Sequence, residues 1–317
     1  MRNVLFMGYH SLGTACLRCL LDDKEARVVG LFTHHDNPNE NIWFETPAPT
    51  AHAAGVPVYY PESLKNRQAN DLVFSLAPDL IISVYYRLMV PEKILLIPPM
   101  GALNLHGSLL PKYRGRVPVN WVLVNGETET GVTLHYMVKE PDAGDIVDQT
   151  SVPISFYDTA RSLFDKVNAA GVELFRRNLP AVLDGTNART PQDHSKATYF
   201  GGRRPEDGKI GWAKSATAIY NLVRAVTRPY PGAFTHLPGG GKLTIWWAAP
   251  AKEDAPSGKH AQGEVLFSSG MVFVACGQGT FLRLLEVEET GAEETASGRA
   301  IPARDWFAGK TAGLMLS

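Results

Sequence analysis

Asn104 and His106 stand two residues apart in GALNLHGSLLPKYRGR (101–116), just before a proline-bounded turn that carries Lys112, Tyr113, Arg114 and Arg116. If GALNLH is a strand, both side chains leave the same face, because residues two apart share a side of a pleated strand. Further along, PDAGD puts Asp142 and Asp145 on a turn at the end of another strand. An imidazole with a carboxylate partner and an amide donor is a set suited to acyl transfer. The imidazole moves a proton, and the amide supports an oxyanion. A polar pair at a strand end is more often structural than catalytic, so the reading depends on what the rest of the chain brings to the same place.

The elements that must position these residues follow from hydrophobic patterning. NVLFMGY (3–9), ARVVGLFTH (26–34), GVPVYY (55–60), PDLIISVYY (78–86) and GALNLH (101–106) read as strands, with helical spacing in SLGTACLRCLL and a short helix near TPAPTAHAA. Strands separated by helices imply βαβ units and a parallel sheet. The unbroken apolar run of PDLIISVYY suits a sheet covered on both faces. Sites in such sheets lie beyond the carboxyl ends of the strands, where His34, Tyr85, Tyr86 and His106 fall. GVTLHYMVKEPDAGDIVDQTSVP (131–153) reads as two strands joined by a turn at EPDAGD. Apolar positions from Leu163 to Leu183 predict a long helix over 158–184, with Asp158 as its N-cap and a break or easing near Gly171. The polar, Gly- and Pro-rich stretch after it sets the expected organisation: a domain over 1–189, a linker over 190–205 and a second domain over 206–317. In that second domain a single helix, SATAIYNLVRAV, precedes short strands with Gly-rich turns, the pattern of a small barrel. The expected class is α/β: a Rossmann-like, mostly parallel sheet followed by a small β-barrel.

The bulk numbers narrow the function. With 44% hydrophobic residues, 20% charged residues and a net charge of −1 over 317 residues, the chain is an ordinary globular protein without the basic excess of a polyanion binder. No apolar run reaches the roughly 18–20 residues of a spanning helix, and MRNVLFMGYH reads as a strand and not a leader. A cytoplasmic location is expected, with no membrane partner. Cys16 and Cys19 form C-x-x-C, but Cys276 stands alone, so no metal site is expected and the pair reads as the inner face of a reduced helix. GYHSLG lacks G-x-G-x-x-G, so Gly8 and Gly13 mark a tight strand-to-helix turn, and PGGGK (238–242) a hairpin turn.

NLHGSLLPKYRGRVPVNWVLVNGETETGVTLHYMVKEPDAGDIV resembles the core of the 10-formyltetrahydrofolate-dependent formyltransferases, including SLLP and the Asn-x-His…Asp set. ATYFGGRRPEDGKIGWAKSATAIYNLVRAVTRPYPGAF is similar to the family's second block, which leads into an OB-like barrel. The resemblance runs from VLFMGYHSLG to about residue 310. It implies the formyltransferase fold, 10-formyltetrahydrofolate as co-substrate, and Asn104, His106 and Asp142 as catalytic residues. In that scheme an amine attacks the formyl carbon, protonated His106 and Asn104 support the oxyanion, and Asp142 raises the His106 pKa. It also implies folate contacts at Leu88, Met89 and Val90, at Arg116, and at Val138, Lys139, Glu140, Pro141 and Asp142. Without it, Leu88–Val90 would read as plain core.

The acceptor is read from charge and from finer resemblance. The methionyl-tRNA enzymes carry a basic insertion after the second strand. Here THHDNPNENIWFETPAP has no Lys or Arg and carries Asp36, Glu40 and Glu45, so it repels phosphates, and no nucleic-acid partner is favoured. FTHHDNPNE, SVYYRLMVPEKIL and FGGRRPEDG resemble the formyltransferase half of the bifunctional polymyxin-resistance enzymes, which act on UDP-4-amino-4-deoxy-L-arabinose in lipid A modification. The expected partner is therefore a nucleotide-linked amino sugar. Arg203 and Arg204 are either diphosphate contacts or solvated linker charges. The decarboxylase half of those enzymes has no counterpart here. A separately encoded enzyme or an excised domain, a homo-oligomer and a separate decarboxylase partner all stay open. The competing functions are methionyl-tRNA formyltransferase, 10-formyltetrahydrofolate hydrolase and a non-catalytic nucleotide-binding module.

Overall fold

A computed structural model describes residues 1–38, 41–238, 240–251, 254–290, 299–310 and 313–317. Two compact units emerge: 1–118 with 129–153 and 164–201, and 119–128 with 154–163 and 202–317.

In the first unit the elements run β1 (Arg2–Gly8), α1 (His10–Asp22), β2 (Ala26–Phe32), α2 (Pro47–Ala53), β3 (Val58–Tyr59), α3 (Arg67–Leu76), β4 (Leu80–Val84), α4 (Glu92–Leu95), β5 (Ala102–His106) and β6 (Arg114–Gly115). After α5 (Pro118–Val124), which apart from Pro118 is counted with the second unit, come β7 (Glu129–Tyr136), β8 (Ile146–Pro153), α6 (Ala160–Asp184), whose first turn is also counted with the second unit, and β9 (Tyr199–Phe200). Seven strands form one sheet in the order β3-β2-β1-β4-β5-β7-β8. Pairing is parallel from β3 to β5 and antiparallel for β5–β7 and β7–β8. The helices between the parallel strands explain their continuous apolar runs: Leu80–Val84 is buried at every position. The chain steps outward from β1 through β2 to β3, then reverses through β4 to β5. The carboxyl ends of β1 and β4 therefore face a topological switch point, where such sheets build their sites.

Two local expectations are corrected. The helix predicted to ease near Gly171 runs unbroken from Ala160 to Asp184. Gly171 serves close packing instead: a Cβ there would lie 3.1 Å from both methyls of Leu12 on α1. Asp158 is not the N-cap. The Thr159 hydroxyl accepts from Ser162 N at 3.2 Å, while Asp158 accepts from the Ser155 N–H and the Ser162 hydroxyl one residue earlier. The inward C-x-x-C helix holds: Cys16 is buried, Cys19 half-buried, and both are free thiols.

The second unit continues with α7 (Ala216–Val226), β10 (Ala233–His236), β11 (Lys242–Pro250), β12 (Val265–Ser268), β13 (Met271–Ala275), β14 (Phe281–Thr290), β15 (Ile301–Pro302) and α8 (Ala303–Trp306). Ser215 caps α7 by accepting from Ala218 N. The antiparallel strands pair in the order β10-β11-β14-β13-β12, with β15 beside β14. The C-terminal tail closes this sheet into a barrel. Ser317 and His236 exchange both main-chain hydrogen bonds on the β10 side. On the β12 side Val265 N donates to Leu314 O, and Gly313 N donates to Val265 O. Closure in this way satisfies the two edges that an open sheet would leave bare.

Candidate functional site

Asn104 and His106 lie on β5, with parallel β4 on one side and antiparallel β7 on the other. Register opposes Asn104 to His135 and His106 to Thr133. The SLLP turn that follows is bound to β7. Thr133 Oγ1 donates to Ser108 O at 2.6 Å and accepts from Leu110 N at 3.1 Å, and Gln149 Nε2 donates to Leu110 O at 2.9 Å.

The structure brings the three predicted catalytic residues together. Asp142 Oδ1 lies 3.6 Å from His106 Nδ1, and its Oδ2 accepts from Gly115 N–H at 2.8 Å. His106 is 7% exposed, and its Nε2 sits 2.8 Å from the carbonyl oxygen of Tyr113. A carbonyl only accepts, so Nε2 carries the ring hydrogen. Nδ1 then keeps its lone pair toward Asp142. At 3.6 Å the carboxylate is too far for a hydrogen bond and close enough to stabilise a proton that arrives on Nδ1.

The expected protonation of His106 is corrected. Burial pushes its pKa below the ordinary histidine value and outweighs the upward effect of Asp142 and the Tyr113 carbonyl. The imidazole is therefore neutral near pH 7 and poised to accept a proton. Burial alone would raise Asp142. The His106 and His135 imidazoles and the Gly115 N–H outweigh it and hold the carboxyl well below the usual range.

The loops around this set adopt backbone conformations that L-residues avoid. φ is 69° at His10, 55° at Tyr85, 58° at Tyr113 and 55° at Asp142. Such positions persist where surrounding contacts over-determine them, and here those contacts are visible. Gln192 Nε2 donates to the main-chain oxygens of Asp142 and Gly144 at 2.9 and 2.7 Å. Its Oε1 accepts from Arg114, which is 1% exposed and also donates to Tyr199 Oη at 2.6 Å. β6 and β9 pair alongside. Residues 190–200, read from composition as linker, thus hold both β6, which carries Gly115, and the turn that carries Asp142. Sequence reasoning missed Gln192, Arg114 and His135. The last had a signal, since an alternating strand that faces Asn104 across an antiparallel pair puts a side chain beside it.

Of the residues expected at the folate, Val90 is buried, and Leu88 packs on the same core cluster as Val90 and Met137. Met89 and Val138 expose apolar surface, 57% and 43%. Lys139, Glu140 and Pro141 are exposed, and Arg116 is exposed with its N–H on Phe200 O. At the carboxyl ends of β1, β2 and β4 aromatic rings gather. His10 stacks on Phe44 at 3.5 Å, His34 stacks on Tyr86 at 4.5 Å, and Tyr85 stacks on Phe164 at 5.7 Å. The acidic loop is partly engaged: Asp36 accepts from Tyr9 Oη at 2.7 Å, and Glu45 pairs with Arg18 at 3.0 Å. Glu40 lies outside the described residues. In the second unit Arg203 lies over the Trp121 ring at 4.6 Å and donates to Asp207 O. Among the described residues no cluster of His, Cys, Asp and Glu could hold a metal, and no helix is long and apolar enough to cross a membrane.

A buried imidazole and an amide on one strand face, with an ionised carboxylate on a turn beside them, make a set suited to acyl transfer. Comparison with known proteins gives its family: residues 1–179 match the formyl transferase model and residues 203–311 the formyl transferase C-terminal domain, so the chain belongs to the formyl transferase family. Solved structures share the fold. One is the N-formyltransferase from Helicobacter canadensis in complex with folinic acid and dTDP-3-aminofucose (22% identity, 90% of this chain and 99% of that one, TM-score 0.68). A second is WlaRD, a sugar 3N-formyltransferase in the presence of dTDP and 5-N-formyl-THF (18% identity, 90% and 97% coverage, TM-score 0.67). A third is a 4-N formyltransferase from Francisella tularensis (20% identity, 74% and 91% coverage, TM-score 0.61).

Proposed function

We propose that the protein transfers the formyl group of 10-formyltetrahydrofolate to the 4-amino group of a nucleotide-linked amino sugar, with UDP-4-amino-4-deoxy-L-arabinose as the acceptor. The observation that carries the chemistry is Asp142 Oδ1 at 3.6 Å from His106 Nδ1, with Asn104 on the same face of β5. The folate supplies an activated formyl group. Its ring system suits the exposed apolar surface of Met89 and Val138, with the main chain of 88–90 and 138–142 and Arg116 alongside. The acceptor nitrogen forms a bond to the formyl carbon. His106 Nδ1 takes the proton that this nitrogen sheds, Asp142 stabilises the imidazolium, and the Asn104 amide donates to the formyl oxygen as it gains charge. His106 then returns the proton to the departing folate nitrogen as its bond to carbon breaks. Tetrahydrofolate and a formamide result.

The sugar acceptor is supported by the similarity to sugar N-formyltransferases and by the second-strand loop, which offers Asp36 and Glu45 and no Lys or Arg to a phosphate backbone. Tetrahydrofolate release, measured with UDP-4-amino-4-deoxy-L-arabinose, with methionyl-tRNA and with no acceptor, tests the reading. Release that requires the sugar nucleotide supports it. Release with tRNA alone, or formate without any acceptor, overturns it. Asn104→Ala and His106→Ala abolish turnover and leave the fold intact, and near-normal turnover in either sinks the residue assignment.

A further inference from the structure

We propose that His135 is a positioning residue: it fixes which way the Asn104 amide points. The inference rests on the formyl-transfer reading of Asn104.

His135 is 1% exposed on β7, directly across the antiparallel pair from Asn104, so the two side chains share a face. His135 Nδ1 lies 2.8 Å from its neighbour's carbonyl oxygen, Tyr136 O. That oxygen only accepts, so Nδ1 carries the hydrogen and Nε2 holds a buried lone pair. A buried acceptor needs a donor, and Asn104 Nδ2 supplies it at 3.2 Å. The amide is thereby held in one of its two orientations. With Nδ2 toward His135, the second N–H of the same amide stays available for a developing oxyanion. Turned over, Asn104 would set its oxygen against the lone pair and present no donor from that position. Asp142 Oδ1 is 3.6 Å from His135 Nε2 and 3.6 Å from His106 Nδ1. A His135 hydrogen on Nε2 would turn to that carboxylate and release Asn104.

The test uses two replacements of similar size. His135→Asn keeps a donor for the Tyr136 carbonyl and has nothing at the Nε2 position. His135→Gln places an oxygen there to accept from Asn104. For His135→Asn, kcat falls ~10- to 100-fold, the scale of a misaligned or lost oxyanion donor, while KM for donor and acceptor stays within roughly threefold. His135→Gln recovers to within about fivefold of wild type. The double variant Asn104→Ala/His135→Asn is no slower than Asn104→Ala, because residues acting as a unit are non-additive. Equal losses for Asn and Gln, a change confined to KM, or additive losses overturn the proposal. If the variants do not fold, the ring nitrogens of ¹⁵N-histidine-labelled wild type decide: a protonated Nδ1 on His135 is expected, and a protonated Nε2 overturns the inference. That measurement needs no turnover, so it separates failure of this inference from failure of the formyl-transfer reading.

Discussion

Asp142→Asn removes one charge and little else. Asn keeps the volume, retains an oxygen for the Gly115 N–H, and tolerates the left-handed backbone at φ 55° about as well as Asp. What is lost is the attraction between the carboxylate and the imidazolium that forms when His106 accepts a proton. At 3.6 Å that attraction is 332/(20 × 3.6), about 4.6 kcal/mol at an effective dielectric near 20, and about 1.2 kcal/mol at the water value of 80. The Asp142 side chain is 14% exposed, so the effective value lies between these limits. Divided by 1.36 kcal/mol per decade, the predicted fall in kcat lies between roughly 10-fold and roughly 2,000-fold. The pH profile adds a sign. In the proposed mechanism the active form is neutral His106, so the rate falls as pH drops through its pKa. Removing the nearby anion lowers that pKa further, so the acid limb of kcat/KM moves to lower pH even as the plateau drops. Steady-state formyl transfer measured from pH 5 to 8 reads both. A plateau changed by less than about threefold, or a limb that moves to higher pH, refutes the reasoning that Asp142 acts through charge on His106.

Other perturbations follow from the same geometry. His34 Nε2 accepts from Arg87 N–H at 3.0 Å, and burial, with the Arg87 charge, lowers its pKa to about 4. The unfolded chain binds this proton near pH 6.5, so stability is lost as pH falls from there toward 4. His34→Gln keeps an acceptor and flattens that loss, as denaturant midpoints at pH 7 and pH 5 will show. Gly115→Ala drives a Cβ into Phe200 O at φ 102°, so it destabilises by roughly 1–3 kcal/mol and lowers turnover by displacing the N–H that holds Asp142; thermal melts and kcat check both. Deleting residues 314–317 removes the strap between β10 and β12 and lowers the unfolding midpoint of the second unit, measured by calorimetry.

Much of the first unit was legible because parallel strands covered on both faces show as unbroken apolar runs, and their carboxyl ends locate the site. Asn104 and His106 were legible because a period of two is local. Their partners were not, for physical reasons. His135 reaches Asn104 only through strand register, and Gln192 and Arg114 meet through a segment whose polar, Gly- and Pro-rich composition matches solvated loop. The protonation state of His106 depends on burial depth, which no motif reports, so the carboxylate neighbour alone gave the wrong sign. Gly171 was read as a helix weakener because propensity sees entropy and not the facing Leu12 methyls. The barrel's closing tail escaped because its strand-like contact is a few residues long.

The central claim is that Asn104, His106 and Asp142 move a formyl group onto a sugar nitrogen. The mass of the sugar nucleotide after incubation with 10-formyltetrahydrofolate and enzyme tests it most directly. A gain of one formyl group with wild type, and none with His106→Ala, is the predicted result. An unchanged sugar nucleotide with wild type, or equal formylation by His106→Ala, would contradict it.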